Sequence, residues 1–97
     1  LAARGSVLKC FVWGLGKRGR AFIRFASKYN IEIIGCYDRS VKTPDINNEY
    51  ELGFIEKDEM MQSDEYIVAT NKDIYMQAVS ETIDPNRIIN LESFCSL

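Results

Sequence analysis

Leu8-Lys-Cys-Phe-Val-Trp13-Gly14-Leu-Gly16-Lys-Arg-Gly19 is the stretch that decides the fold. A mostly apolar strand runs into three glycines spaced Gly-x-Gly-x-x-Gly, and a helical pattern follows. Near-continuous apolar character suits a strand of a parallel sheet covered on both faces. In such a strand-turn-helix unit the first glycine allows a tight bend and the second lets backbone approach a bound group. The third lets the helix pack closely on the strand. Amides left over at the helix start make a seat for an anion such as a nucleotide phosphate. The competing reading is a tight turn that holds no ligand, because folds outlast functions.

Working outward, Phe22, Phe25, Ala26 and Tyr29 recur at helical spacing and predict one face laid against the sheet, with Asn30 as the stop. Ile31 to Tyr37 is rich in β-branched residues and predicts a second strand that ends at Asp38, 19 positions after Gly19. Residues 39 to 50 hold Pro44 and an Asn pair and read as a long irregular connection. Leu52 to Ile55 is a short third strand in this reading, followed by a helix over Lys57 to Gln62 with Met60 and Met61 inward. Glu65 to Thr70 predicts a fourth strand. Asn71 then caps a helix with apolar positions Ile74, Tyr75, Ala78, Val79 and Ile83, ended by Asp84-Pro85. Arg87 to Leu91 supplies a fifth strand.

Strict alternation of strand and helix implies right-handed crossovers and a three-layer α/β architecture. Its open parallel sheet has four to five strands in the order 3-2-1-4-5, with helices on both faces. Winding then reverses between strands 1 and 4, which opens a crevice at their carboxyl ends. The Gly14 to Gly19 turn, Asp38 and Thr70 all belong to that edge. With 97 residues, 46% of them hydrophobic, the chain is sized for one core, assigned to residues 7–91. Residues 1–6 resemble the scar of a removed purification tag and are set outside the fold, 92–97 form a tail of ambiguous structure, and a longer parent protein is expected.

An acid at the end of the second strand is placed to accept hydrogen bonds from a ribose diol. The competing reading of Asp38, given less weight, is a turn-initiating residue at a strand end. Arg39 and Ser40 follow it and offer room for a 2′-phosphate, so NAD and NADP both remain open, with the carboxylate tilting toward NAD. Lys17, Arg18 and Arg20 sit in the first helical turn, where the macrodipole disfavours each exposed cation by about 0.3–1 kcal/mol. A bound anion would reverse that cost; side chains pointing to water are the alternative. Thr70 and Asn71 read first as capping residues and second as ligand contacts.

The chain contains no His. It also lacks a Tyr-x-x-x-Lys pair and any Ser or Cys placed beside a base, so catalysis by this chain alone is not expected. Cys10, Cys36 and Cys95 are scattered and read as small apolar core groups rather than disulfides or zinc ligands. No run approaches the roughly 18 apolar residues of a membrane span, and a cytoplasmic setting is the default expectation. The net charge of −2 divides sharply. Residues 4 to 42 hold nine Lys/Arg against Glu32 and Asp38, while 45 to 65 hold eight Asp/Glu against Lys57 alone. Equal and opposite blocks point to a dipolar surface or packing between chains and argue against nucleic-acid binding.

At Val12 to Gly19, Ile34 to Ser40 and Glu65 to Asn71 the chain resembles a short Rossmann-like domain of bacterial sugar metabolism and surface-polysaccharide synthesis. Such domains form the N-terminal part of sugar-nucleotide dehydratases and the UDP-sugar-binding part of sugar acetyltransferases. They also accompany glycosyltransferases and LicD-like transferases. The resemblance implies a nucleotide on Gly14, Gly16, Gly19 and Asp38, with Thr70 a weaker carry-over and Lys17, Arg18 and Arg39 alongside. The glycine turn lacks the His often found in the acetyltransferases, and the sugar-modifying domain of the dehydratases is absent. Three readings follow: an NAD(P)-type accessory module, a UDP-sugar-binding domain of a transferase, and a non-catalytic scaffold with a vestigial loop. Partners are then a small-molecule nucleotide and either a second copy or a larger parent enzyme.

Overall fold

A computed structural model describes residues 8–40, 53–82 and 84–95, without the side chains of Ser27, Phe94 and Cys95. The expectations for residues 1–7 and for the connection after Ser40, with Tyr50 and Leu52, lie outside the described residues, as do those for Ile83 and for 96–97. Strand β1 covers Leu8–Trp13 and helix α1 Lys17–Ala26, extended by a 3-10 turn over Ser27–Tyr29. Then come β2 (Ile31–Tyr37), α2 (Lys57–Gln62), β3 (Tyr66–Ala69) and α3 (Lys72–Glu81). A second 3-10 turn (Pro85–Arg87), β4 (Ile88–Asn90) and α4 (Leu91–Cys95) complete the described chain.

All pairings are parallel, in the order β2-β1-β3-β4. Among the described residues, the expected third strand at 52–55 is present as one parallel bridge between Cys36 and Phe54 outside β2. Cys36 N–H donates to Gly53 and Ile55 N–H to Cys36, both at 3.0 Å. Gly53 carries no side chain to pack and α2 begins at Lys57, so little length remains for a ladder. Counting that bridge, the spatial order is the one the alternation predicts.

Side-chain alternation divides the core. Phe11, Trp13, Ile67 and Ala69 face α2 and α3, meeting Met60 and Ala78, whereas Cys10, Val12 and Val68 face α1 and α4, meeting Leu15, Ile23 and Leu91. Removing a side chain such as Val12, Ile67 or Met60 from water contributes about 1.5–3 kcal/mol each. The predicted inward stripe of α1 is corrected: Gly19, Ile23 and Ala26 are buried and Phe22 half-buried, while Phe25 is 53% and Tyr29 67% exposed. Gly19 packs against the glycine turn and thereby fixes the helix rotation. At ~100° per residue that carries Phe25 off the sheet side, and the tighter 3-10 turn follows. Asn30 stops the segment in the left-handed region at φ 58°.

The ambiguous tail is the helix α4. Leu91 enters the core beside Cys10 and Val68, and the Asn90 side chain accepts the Glu92 amide at 3.2 Å. Arg87 ties the second half together by donating to the carbonyls of Glu65, Met61 and Met60 at 2.9, 3.2 and 3.3 Å. It thereby supplies a donor to the Met61 carbonyl and a second one to the Met60 carbonyl, which also accepts the Ser63 amide at 3.3 Å. Among the described residues no helix is long and apolar enough to cross a membrane.

Candidate functional site

The glycine turn is built from three positions that do different work. Gly14 has φ +107°, and a Cβ there would land on the Thr70 hydroxyl, so only glycine fits. Its N–H donates to the Tyr37 carbonyl at 2.8 Å, joining the ends of β1 and β2. At Gly19 a Cβ would strike the Gly14 carbonyl, which makes this residue the contact surface between α1 and the turn. Gly16 is different. A Cβ there meets nothing within 4 Å, so internal packing does not account for its missing side chain.

Helix α1 starts immediately after it. Arg20 N–H donates to the Gly16 carbonyl at 3.0 Å, which leaves the amides of Lys17, Arg18 and Gly19 upstream of any acceptor within the helix. They lie at the positive end of the macrodipole, and their residues line the same cleft as Gly16.

Asp38 is held against the same turn. Its carboxylate accepts the Leu15 amide at 2.6 Å and the Ser40 amide at 2.7 Å. It initiates a turn through Ser40 and stands at the strand end beside the glycine loop.

Thr70 is buried, and its hydroxyl lies 3.0 Å from the Trp13 carbonyl and 3.3 Å from that of Gly14, donating to them. Its amide donates to the Trp13 carbonyl at 3.2 Å. The hydroxyl proton is therefore engaged in shaping the turn. The capping role falls to Asn71, whose side chain accepts the Ile74 amide at 2.9 Å.

Two adjoining clefts follow this edge. One, of about 440 Å³, lies between the end of β2 and α3, with Tyr37, Asp38, Arg39, Asn71, Asp73 and Gln77 among its walls. The other, about 720 Å³, lies over the start of α1 and includes Gly16, Lys17, Arg18, Gly19 and Thr70. Gly14, Asp38, Asn71 and Ile74 border both, so the two form one trough across the carboxyl end of β1. That is the crevice the reversal of winding predicts. Volumes of this size are ordinary for small-molecule sites. Trp13 forms its floor, with the Tyr37 ring edge-on at 5.6 Å.

All eight sequence-predicted site residues border the trough. Arg18 reaches it but is also tied to Glu92 of α4, Nη1 to Oε2 at 2.7 Å. The chain thus supplies its own anion to one of the cations in the first helical turn. Sequence reading missed Glu92, for which pairing across 74 positions leaves no local signal. It also missed Asp73 and Gln77, whose spacing of four on α3 was a visible clue. Cys36 lies behind this edge with its thiol raised to about 11 by burial and by the Asp38 charge, and Cys10 is raised by burial to about 12. Both are neutral thiols at ordinary pH and poor nucleophiles. Among the described residues no three metal-binding side chains converge.

No protein-family model matches this chain, and no curated protein matches it in sequence. Among solved structures, an NAD-binding protein from Listeria innocua is similar in fold, with a TM-score of 0.58 at 19% identity. The match covers 77% of this chain and 25% of that one, so the chain spans about a quarter of that protein's length. The fold is Rossmann-like.

Proposed function

We propose that this chain is a nucleotide-binding module of the NAD(P) type. The observation that carries the reading is Gly16: of the three glycines in the turn it alone faces open space, and it shares a cleft with Lys17, Arg18 and Gly19, which begin α1. A pyrophosphate fits there, accepted by the amides of Lys17, Arg18 and Gly19 with Lys17 as counter-charge. The ribose lies toward Asp38 and the rest of the nucleoside in the cleft between Arg39 and α3. NAD-binding by the Listeria innocua protein of similar fold supports this assignment. An accessory role in sugar-nucleotide or polysaccharide metabolism is supported by the sequence resemblance of the three strand-end segments. Arg39 is exposed, follows Asp38 and lines the same cleft, which supports including NADP in the same test.

The experiment is a titration of the chain with NADH, NADPH and UDP-glucose, followed by Trp13 emission and by melting temperature. Saturable binding of a dinucleotide with a raised melting temperature is the expected result. Binding of UDP-glucose alone assigns the seat to a sugar nucleotide. No response to any of the three at millimolar concentration refutes the module and leaves the scaffold reading.

A further inference from the structure

Across residues 17 to 29 the sequence contains no acid. Arg20, Arg24 and Lys28 recur every four residues and are exposed along the outer side of α1 and its 3-10 extension. Like charges at this spacing oppose one another by about 0.2–0.5 kcal/mol per pair. Phe25 and Tyr29, the aromatics displaced from the sheet side, stand exposed beside them, with the Lys28 ammonium 5.9 Å from the Phe25 ring centre. The opposite layer has the opposite charge. Around α2, Glu56, Asp58, Glu59 and Asp64 are exposed, and Lys57, the sole cation of residues 45 to 65, is engaged with Glu81 at 3.1 Å. The sheet lies between α1 and α2, so Arg20 and Lys28 face away from Asp58 and Glu59 of the same chain. A second copy can bring them together.

We propose that the outer side of α1 is a docking surface for another copy of this chain, whose Asp58 and Glu59 seat against Arg20 and Lys28 while Phe25 and Tyr29 supply apolar contact. Charge complementarity selects this occupant. A nucleic acid or anionic membrane drawn to α1 would approach a molecule of net charge −2 and would leave its acidic layer unmatched. Because the two patches lie on different faces, the contact is heterologous, and assembly continues with concentration unless the rotation closes a ring. The surface lies outside the Asp38 trough and stands whether or not a nucleotide binds there.

The test is sedimentation velocity of the whole chain over a wide concentration range at low salt and at about 0.5 M salt, where the screening length falls to a few ångströms. Expected is concentration-dependent association at low salt, weakened at least about tenfold by the added salt. Arg20→Glu with Lys28→Glu abolishes it, and so does Asp58→Lys with Glu59→Lys. The fourfold variant, which keeps the net charge of the parent, restores it. Gln at the two basic positions weakens association and serves as a second variant should reversal disturb the fold, with circular dichroism as the check. A monomer at every salt concentration overturns the proposal, as does association indifferent to these reversals or capture by RNA or anionic vesicles without self-association.

Discussion

Gly16→Ala separates ligand binding from folding. A methyl group at this position meets no protein atom within 4 Å and the backbone is not in the left-handed region. The residue opens α1, where alanine is a poorer cap than glycine by an amount on the order of 1 kcal/mol. The lost freedom of the unfolded chain returns about 0.4–1 kcal/mol. Stability should therefore stay within about 1 kcal/mol of the parent. The same methyl occupies the approach to the Lys17, Arg18 and Gly19 amides. Losing one or two charge-assisted hydrogen bonds at about 1.5–3 kcal/mol each lowers affinity by roughly one to four decades.

The assay is thermal melting with and without dinucleotide, supported by Trp13 emission. For the parent chain, ligand at about 100 times Kd adds about 2.7 kcal/mol. At about 4–8 °C per kcal/mol in a domain of this size, the melting temperature rises by about 10–20 °C. Without ligand the variant should melt like the apo parent, and with ligand it should show from about half of that rise, at one decade of lost affinity, down to none of it. Gly19→Ala is the contrast, because its Cβ strikes the Gly14 carbonyl and overpacking costs about 1–3 kcal/mol. A Gly16→Ala variant that binds as tightly as the parent refutes the phosphate seat, and one that unfolds refutes the assignment of Gly16 as structurally free.

Thr70→Val removes the hydroxyl that donates to the Trp13 and Gly14 carbonyls and should lower stability by about 1–3 kcal/mol while Thr70→Ser loses less, as measured by urea unfolding. Glu92→Gln releases Arg18 from its ion pair; an exposed pair contributes only about 0–1 kcal/mol, so melting should barely move while dinucleotide affinity rises a few-fold at low salt in calorimetry. Cys10 has its thiol raised from 9.0 to about 12 by burial. Its protonated form therefore adds stability that is complete below pH 9.0 and is lost as pH climbs toward 12. Unfolding measured from pH 8 to 11 should show a falling stability whose slope is shallower in Cys10→Ala; an unchanged slope would contradict the burial argument.

Local chemistry made much of this protein legible from sequence. The Gly14 to Gly19 spacing, the apolar run before it and the periodic segments after it gave strand-helix alternation. Chirality then limited the sheet to one winding with a crevice at a known edge. Asn30 and Asn71 were readable as a stop and a cap because those roles depend on neighbours within four residues. The structure alone decided what depends on distance through space. It set the rotation of α1 by the contact of Gly19 with the turn, which exposed Phe25 and Tyr29. Among the described residues it gave Phe54 a single bridge where a strand was expected. It turned Thr70 toward the backbone of Trp13 and Gly14, and it brought Glu92 across 74 positions to Arg18. Periodicity reports that a helix has an apolar side, but which way that side turns is fixed by the one close contact that admits no Cβ, and such a contact exists only once the chain has folded.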